Sequence, residues 1–107
     1  MAATKLIVMY PPPADVQTFE RLYLDEHVPM AVKKLTGMTK IVATKVQASP
    51  QGKPAFYRIA EIHFPSMEVL QACAASTGGK ETLAHAIKIS TGGPLVVLIG
   101  EEQVFTF

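Results

Sequence analysis

Two side chains close together in the sequence could move a proton. His27 carries an imidazole that is neutral near pH 7 yet readily protonated, so it suits a general base or general acid. Tyr23 precedes it by four residues, which places both side chains on one face of a helix. A phenol and an imidazole held over an apolar sheet would act on a small, oily substrate. His27 would transfer the proton, and Tyr23 would orient the imidazole or the substrate. The same two residues also read as a structural hydrogen-bonded pair at a helix end, where a histidine complements the helix dipole. Spacing does not separate the two readings.

Other reactive types are placed less suggestively. Glu61 and His63, at i and i+2, share one face of a strand and could begin a metal site. Such a site needs a third and usually a fourth ligand, and no Asp, Glu, His or Cys nearby in sequence supplies them. An interfacial hydrogen-bonded pair and no metal is therefore expected. His85 lies on the flank of a helical stripe and is expected at the surface. Cys73 falls in an apolar stripe without cationic neighbours, the setting of a buried structural thiol. The pairs Gly78-Gly79 and Gly92-Gly93 match neither phosphate-loop pattern and read as helix punctuation.

The elements that must hold these groups follow from the punctuation of the chain. Thr4–Tyr10 is a β-rich apolar run stopped by Pro11-Pro12-Pro13, since proline cannot donate to a ladder. Asp15 stands at a helix N-cap, and Val16, Phe19, Tyr23 and His27 follow at helical spacing. Pro29 biases Val28 away from helical angles, so a break or bend is expected just after His27. A short helical turn over Met30–Leu35 ends at Gly37. Thr39–Gln47 and Phe56–Phe64 read as strands around the turn Ser49–Pro54. Ser66 caps a helix over Met67–Ala75 with Val69, Leu70, Cys73 and Ala74 inward. Gly78-Gly79 separates it from a second piece, Lys80–Ile89, with Leu83, Ala86 and Ile87 inward. Leu95–Ile99 is the last strand, and Val104, Phe105 and Phe107 make the tail apolar enough to dock on something.

The resulting order, βαββαβ, is α+β and ferredoxin-like: an antiparallel sheet with helices on one face. On the third strand, Phe56, Arg58, Ala60, Ile62 and Phe64 are expected to face the helices. Tyr57, Ile59, Glu61 and His63 then face the other way. The first strand is apolar in both phases, with Leu6, Val8 and Tyr10 alternating with Ile7 and Met9, so the open face is expected to meet a second copy rather than water.

Composition agrees. The chain has 107 residues, 49% hydrophobic and 18% charged, which excludes disorder and suggests a single domain over 1–107. Ten Lys and Arg against nine Asp and Glu leave a net charge of +1, giving no electrostatic reason to expect a nucleic-acid or membrane partner. With one cysteine and neither a signal peptide nor a spanning run in the sequence, a reducing, cytoplasmic setting is expected.

The string Phe19-Glu20-Arg21-Leu22-Tyr23-Leu24-Asp25-Glu26-His27-Val28-Pro29, a Tyr-x-x-x-His-x-Pro helix end after the strand KLIVMYPPP, resembles the EthD family. Tyr57–Glu61, the Phe64–Glu68 turn and Gly92–Glu101 fit the same pattern, so the resemblance spans essentially the whole chain. The family is named for a small protein associated with bacterial degradation of ethyl tert-butyl ether. The resemblance implies a dimeric α/β-barrel, a homodimer joined through its sheet faces, with a ligand held between the sheet and the helices of one subunit. It implies His27 and Tyr23 as the catalytic pair, with Leu6, Val8, Ile62, Phe64, Phe19 and Arg58 as substrate contacts. The implied ligand is small and hydrophobic, aromatic or lactone-like. The implied chemistry is that of a cofactor-free isomerase, lyase (dehydratase) or oxidoreductase (oxygenase) of xenobiotic degradation. The alternative is a non-catalytic accessory or ligand-carrier protein for an oxygenase or ether-degradation pathway. Haem is the alternative cofactor implied by haem-degrading relatives, with His27 or His85 as axial ligand. Methylmuconolactone-type isomerases in the superfamily add a strand cysteine and a hairpin histidine. Here Ile62 holds the strand position and Ser49–Pro54 has no histidine.

Overall fold

The computed structural model describes residues 3–107. Four strands, β1 (Ala3–Tyr10), β2 (Lys40–Lys45), β3 (Arg58–Phe64) and β4 (Val96–Glu102), form one antiparallel sheet in the spatial order β2-β3-β1-β4. Helices α1 (Val16–Leu22), α2 (Val28–Lys34), α3 (Met67–Ala75) and α4 (Thr77–Ile89) complete the α+β, ferredoxin-like fold. No helix among the described residues is long and apolar enough to cross a membrane.

Register fixes what each face of the sheet presents. Leu6 stands opposite Ile62 and Ile99, and Val8 opposite Ala60 and Val97. Residues directly opposite share a face, so this phase lies under the helices with Tyr10 and Phe64, as the alternation predicts. The other phase carries Ile7, Met9, Val42, Ile59, Val96 and Leu98 on a face that no helix covers. At its edge Lys5 bridges Glu61 and Glu102, and His63 Nδ1 lies 3.7 Å from Glu102. Glu61 and His63 therefore each take their own partner rather than one another.

The first helical segment does not break at Pro29. Its buried residues, Phe19, Tyr23, His27, Ala31 and Leu35, recur at every fourth position. In a pure α-helix each step of four overshoots a full turn by about 40°, and such a row would wind away from the sheet. A π-helical turn over Tyr23–His27 absorbs the overshoot, with Val28 N–H donating to the Tyr23 carbonyl five residues back. Pro29 accounts for the turn: it has no N–H, and its ring would press on the Asp25 carbonyl in a tighter helix. The ladder widens instead of ending.

The second helical region departs from expectation in two ways. Its break is at Ser76, whose Oγ accepts from Gly79 N–H (3.0 Å) and donates to the Cys73 carbonyl (2.6 Å). Gly78 and Gly79 form the first turn of α4. A Cβ on Gly79 would collide with the Cys73 carbonyl, and one on Gly78 with the Lys34 carbonyl of α2. The inward row of α4 is Gly79, Thr82, Ala86 and Ile89. Leu83 and Ile87, expected inside with Ala86, are 43% and 57% exposed. Small residues let α4 approach its neighbours closely, and that contact sets its rotation. The apolar tail is not buried against the described residues: Val104, Phe105 and Phe107 are all exposed.

Gly→Ala in a helix ordinarily stabilises by up to about 1 kcal/mol. At Gly79 the sign reverses, because the Cβ meets backbone and not a flexible side chain. We expect Gly79→Ala to cost about 1–3 kcal/mol, read as a lower urea midpoint with an unchanged slope.

Candidate functional site

The inner sheet face and the helices enclose an apolar cavity in two lobes. The larger, about 210 Å³, is walled by Leu6, Phe64, Leu70, Cys73, Leu83, Val97 and Ile99, among others. The smaller, about 50 Å³, is walled by Leu6, Val8, Ile62, Thr82, Ala86 and His27. Leu6, Leu35, Gly79 and Leu83 border both lobes, so the two adjoin. An apolar cavity of roughly 150 Å³ suffices for a benzene-sized molecule. His27 closes the inner end, while half-exposed Ile99 of the edge strand β4 lies at the outer end.

The π turn aims the His27 imidazole into this wall. Its ring stacks on Tyr23 (centroids 5.8 Å, 28°), which stacks on Phe19 (5.6 Å, 15°). Tyr10 meets all three edge-on, and its hydroxyl lies 3.4 Å from His27 Nε2. On the other side, His27 Nδ1 lies 2.9 Å from Nδ1 of His85. Burial makes the imidazolium costly, and the neighbouring His85 adds repulsion; together they depress the His27 pKa from 6.5 to about 4. His27 is therefore a neutral imidazole near pH 7. Burial pushes the Tyr10 phenol well above its ordinary range and raises that of Tyr23 as well, so both remain protonated near pH 7.

The residues singled out in the sequence separate into two groups. His27, Leu6, Val8 and Ile62 meet at the smaller lobe, and Phe64 lines the larger one. Tyr23, Phe19 and Arg58 line neither; they form the packing behind His27. The Arg58 guanidinium sits 4.8 Å from the Tyr23 ring centroid and donates to Glu20 (2.5 Å), which also accepts from Tyr57 (2.5 Å). Burial would raise the Glu20 pKa, but the Tyr57 hydroxyl and Arg58 outweigh it and hold the carboxylate below its usual range. Sequence reading missed the roles of Tyr10 and His85. His85 is not a surface residue: its side chain is 14% exposed, because it flanks the inward row Thr82–Ala86–Ile89. That row at spacings of four and three was a visible signal, masked by the more apolar Leu83 and Ile87.

Haem does not fit here. A porphyrin is far larger than a cavity of about 210 Å³. Among the described residues no group of three His, Cys, Asp or Glu is placed to hold a metal ion.

Residues 11–88 match the EthD domain. An ethyl tert-butyl ether degradation (EthD) family protein from Bacillus halodurans C-125 superposes with a TM-score of 0.86 at 33% identity, over 94% of this chain and 99% of that one. An uncharacterized 11.0 kDa protein from the thcB-thcC intergenic region of Rhodococcus erythropolis is 26% identical over 94% of this chain and 96% of its own length. Fold alone is shared with three further structures. A dimeric ferredoxin-like protein of unknown function from Jannaschia sp. CCS1 is 14% identical, with a TM-score of 0.69 over 94% of this chain and 99% of its own. The hydroxynitrile lyase of Passiflora edulis is 12% identical, with a TM-score of 0.74 over 98% and 97%. A cofactor-independent oxygenase of Streptomyces nogalater is 10% identical, with a TM-score of 0.62 over 100% and 97%.

The depressed His27 pKa makes stability pH-dependent with a definite sign. Between about pH 6.5 and 4 the unfolded chain binds a proton that the folded site refuses, so stability falls as pH falls through that window and is flat above it. The loss amounts to about 3 kcal/mol at most. His27→Gln should flatten this stretch of the curve in urea titrations at stepped pH.

Proposed function

The chain belongs to the EthD family, and on that premise we propose that it binds a small apolar molecule, aromatic or lactone-like, between sheet and helices and moves a proton on it with His27. The observation that carries this reading is a neutral imidazole closing one end of an otherwise apolar cavity. Neutral imidazole is the form that accepts a proton, and a dry wall strengthens its interaction with a polar group on the ligand. Nε2 is the reacting nitrogen, since Nδ1 is held by His85. Tyr10 shares Nε2 at 3.4 Å, long enough to yield to a ligand atom. Tyr23 acts by stacking, fixing the plane of the ring. Isomerisation, elimination and cofactor-free oxygenation all begin with such a proton removal. The fold likeness to a lyase and to a cofactor-independent oxygenase supports that class.

The same reading includes a homodimer joined through the open sheet face. Its support is the uncovered apolar phase carrying Ile7, Met9, Ile59 and Leu98, together with the dimeric ferredoxin-like neighbour. Leu98 is 48% exposed and central on β4. Leu98→Asp should convert a dimer to a folded monomer in sedimentation velocity. A wild-type monomer at micromolar concentration would end this part of the proposal.

Two probes test the site. p-Cresol titrated into methyl-labelled protein should shift Leu6, Val8 and Ile62 together with the His27 ring, and Leu83→Trp at the junction of the lobes should weaken it at least tenfold. A β,γ-unsaturated butenolide should exchange its α-proton with D₂O faster in the presence of the protein. His27→Ala should reduce that exchange by about 10²–10⁴-fold while retaining cresol binding. Cresol binding without His27-dependent exchange would instead identify a ligand carrier.

A further inference from the structure

His27 has a connection to solvent on the side away from the cavity. Its ring lies parallel to that of His85 (7°, centroids 5.2 Å), with the two Nδ1 atoms 2.9 Å apart. His85 Nε2 then lies 3.6 Å from a carboxylate oxygen of Glu26, whose side chain is half exposed. From His27, which lines the small lobe, a row thus runs through His85 to Glu26 at the surface, with Tyr10 at the opposite nitrogen of the His27 ring.

Hydrogen-bond inventory orients the row. A contact between two ring nitrogens needs one N–H and one lone pair. If His85 were neutral and supplied the N–H, its Nε2 would turn a lone pair toward the Glu26 carboxylate, anion against lone pair. If His27 supplies it, every neighbour is matched: Tyr10 O–H donates to His27 Nε2, His27 Nδ1–H donates to His85 Nδ1, and His85 Nε2–H faces Glu26. The resting state is then a His27 whose Nε2 carries the lone pair, held only by the long 3.4 Å contact from the Tyr10 hydroxyl.

Resting on the proton-transfer reading above, we propose that His85, positioned by Glu26, receives the proton that His27 takes from a ligand. The ligand gives a proton to His27 Nε2, and His27 releases its Nδ1 proton to His85 Nδ1. His27 ends neutral in its other tautomer, and His85 ends as an imidazolium whose Nε2–H faces the Glu26 carboxylate. His27 itself is left uncharged: the ligand's conjugate base keeps the negative charge in the lobe and the positive charge sits on His85, and the proton returns by the same path or leaves His85 Nε2 for water. Burial favours this division, because it penalises a charge on His27 while His85 has an anion and solvent beside it. The other titratable and charged groups facing the row are few. Tyr10 comes from β1 and Tyr23 from the π turn. Arg58 of β3 lies over Tyr23 and is paired with Glu20, and Lys34 of α2 is paired with Glu81 of α4 (3.3 Å). None is placed to compete with Glu26 for His85.

The test is long-range ¹H–¹⁵N NMR of ¹⁵N-histidine-labelled protein across pH 4–9, which reads the tautomer and charge of each ring. At high pH His27 should show the Nδ1–H tautomer. On acidification the first proton should appear on His85, and His27 should switch to Nε2–H in the same step. Glu26→Gln should lower that shared midpoint by about half a pH unit, with partial recovery in Glu26→Asp. His85→Phe should abolish the switch. If that variant does not fold, the Glu26 variants, changed at a half-exposed position, still decide. The proposal fails if His27 is Nε2–H at high pH, if it takes the first proton itself, or if the midpoint ignores Glu26. The underlying ligand reading fails separately, when p-cresol leaves the His27 signals unmoved while the coupled titration persists.

Discussion

The site depends on one widened turn of helix. A row of buried side chains at every fourth residue cannot stay on one face of an α-helix over several turns. The π turn at Tyr23–His27 resolves that mismatch where Pro29 has already removed the competing hydrogen bond. Phe19 and Tyr23 then pack as a stack, His27 lands at the cavity wall, and Ala31 and Leu35 continue the same row onto the second core cluster. A regular helix would rotate either the aromatic stack or the Ala31–Leu35 end out of the core. The turn therefore couples core packing to the placement of the imidazole.

Around that imidazole the protein spends its polar contacts sparingly. The cavity is almost wholly aliphatic, and the charged groups nearby are paired behind the aromatic layer, with Arg58 bound by Glu20 and stacked on Tyr23. A histidine kept neutral in such a wall is a weak base, and it would accept a proton readily only if that proton could be passed on. The contact with His85 gives the site an arrangement that neither residue supplies alone. Family membership explains why this scaffold exists; the side chains at the inner end of the cavity decide what it does.

Much of this was legible in the sequence, for identifiable reasons. The strand phases follow from alternation in Leu6–Val8 and Ala60–Ile62–Phe64, the first stop from three consecutive prolines, and the third helix from the Ser66 cap. His27 was legible because imidazole stands at helical spacing from two aromatics. Four features were not. Pro29 signals a break, and only the packing on both sides shows that the chain continues through it. The rotation of α4 was hidden because Gly79 and Thr82 score poorly as apolar, although their small size is what draws the helix inward. The His27–His85 contact joins residues 58 positions apart and exists only once that rotation is known. Tyr10 likewise read simply as the end of a strand.

The cavity is closed at the histidine and open along the uncovered rim of β4, where Val97 and Ile99 remain partly exposed. Such a space discriminates unevenly along its length. A ligand of the proposed kind would reach His27 with its reactive end leading, and that end would meet Val8, Ile62 and Ala86 in a lobe of only about 50 Å³. The trailing end would pass the partly exposed Leu83 and Ile99 toward solvent, where an extra alkyl segment would meet less constraint. Selectivity would thus reside in the head of the ligand, and compounds sharing a head but differing in tail length would compete for one site.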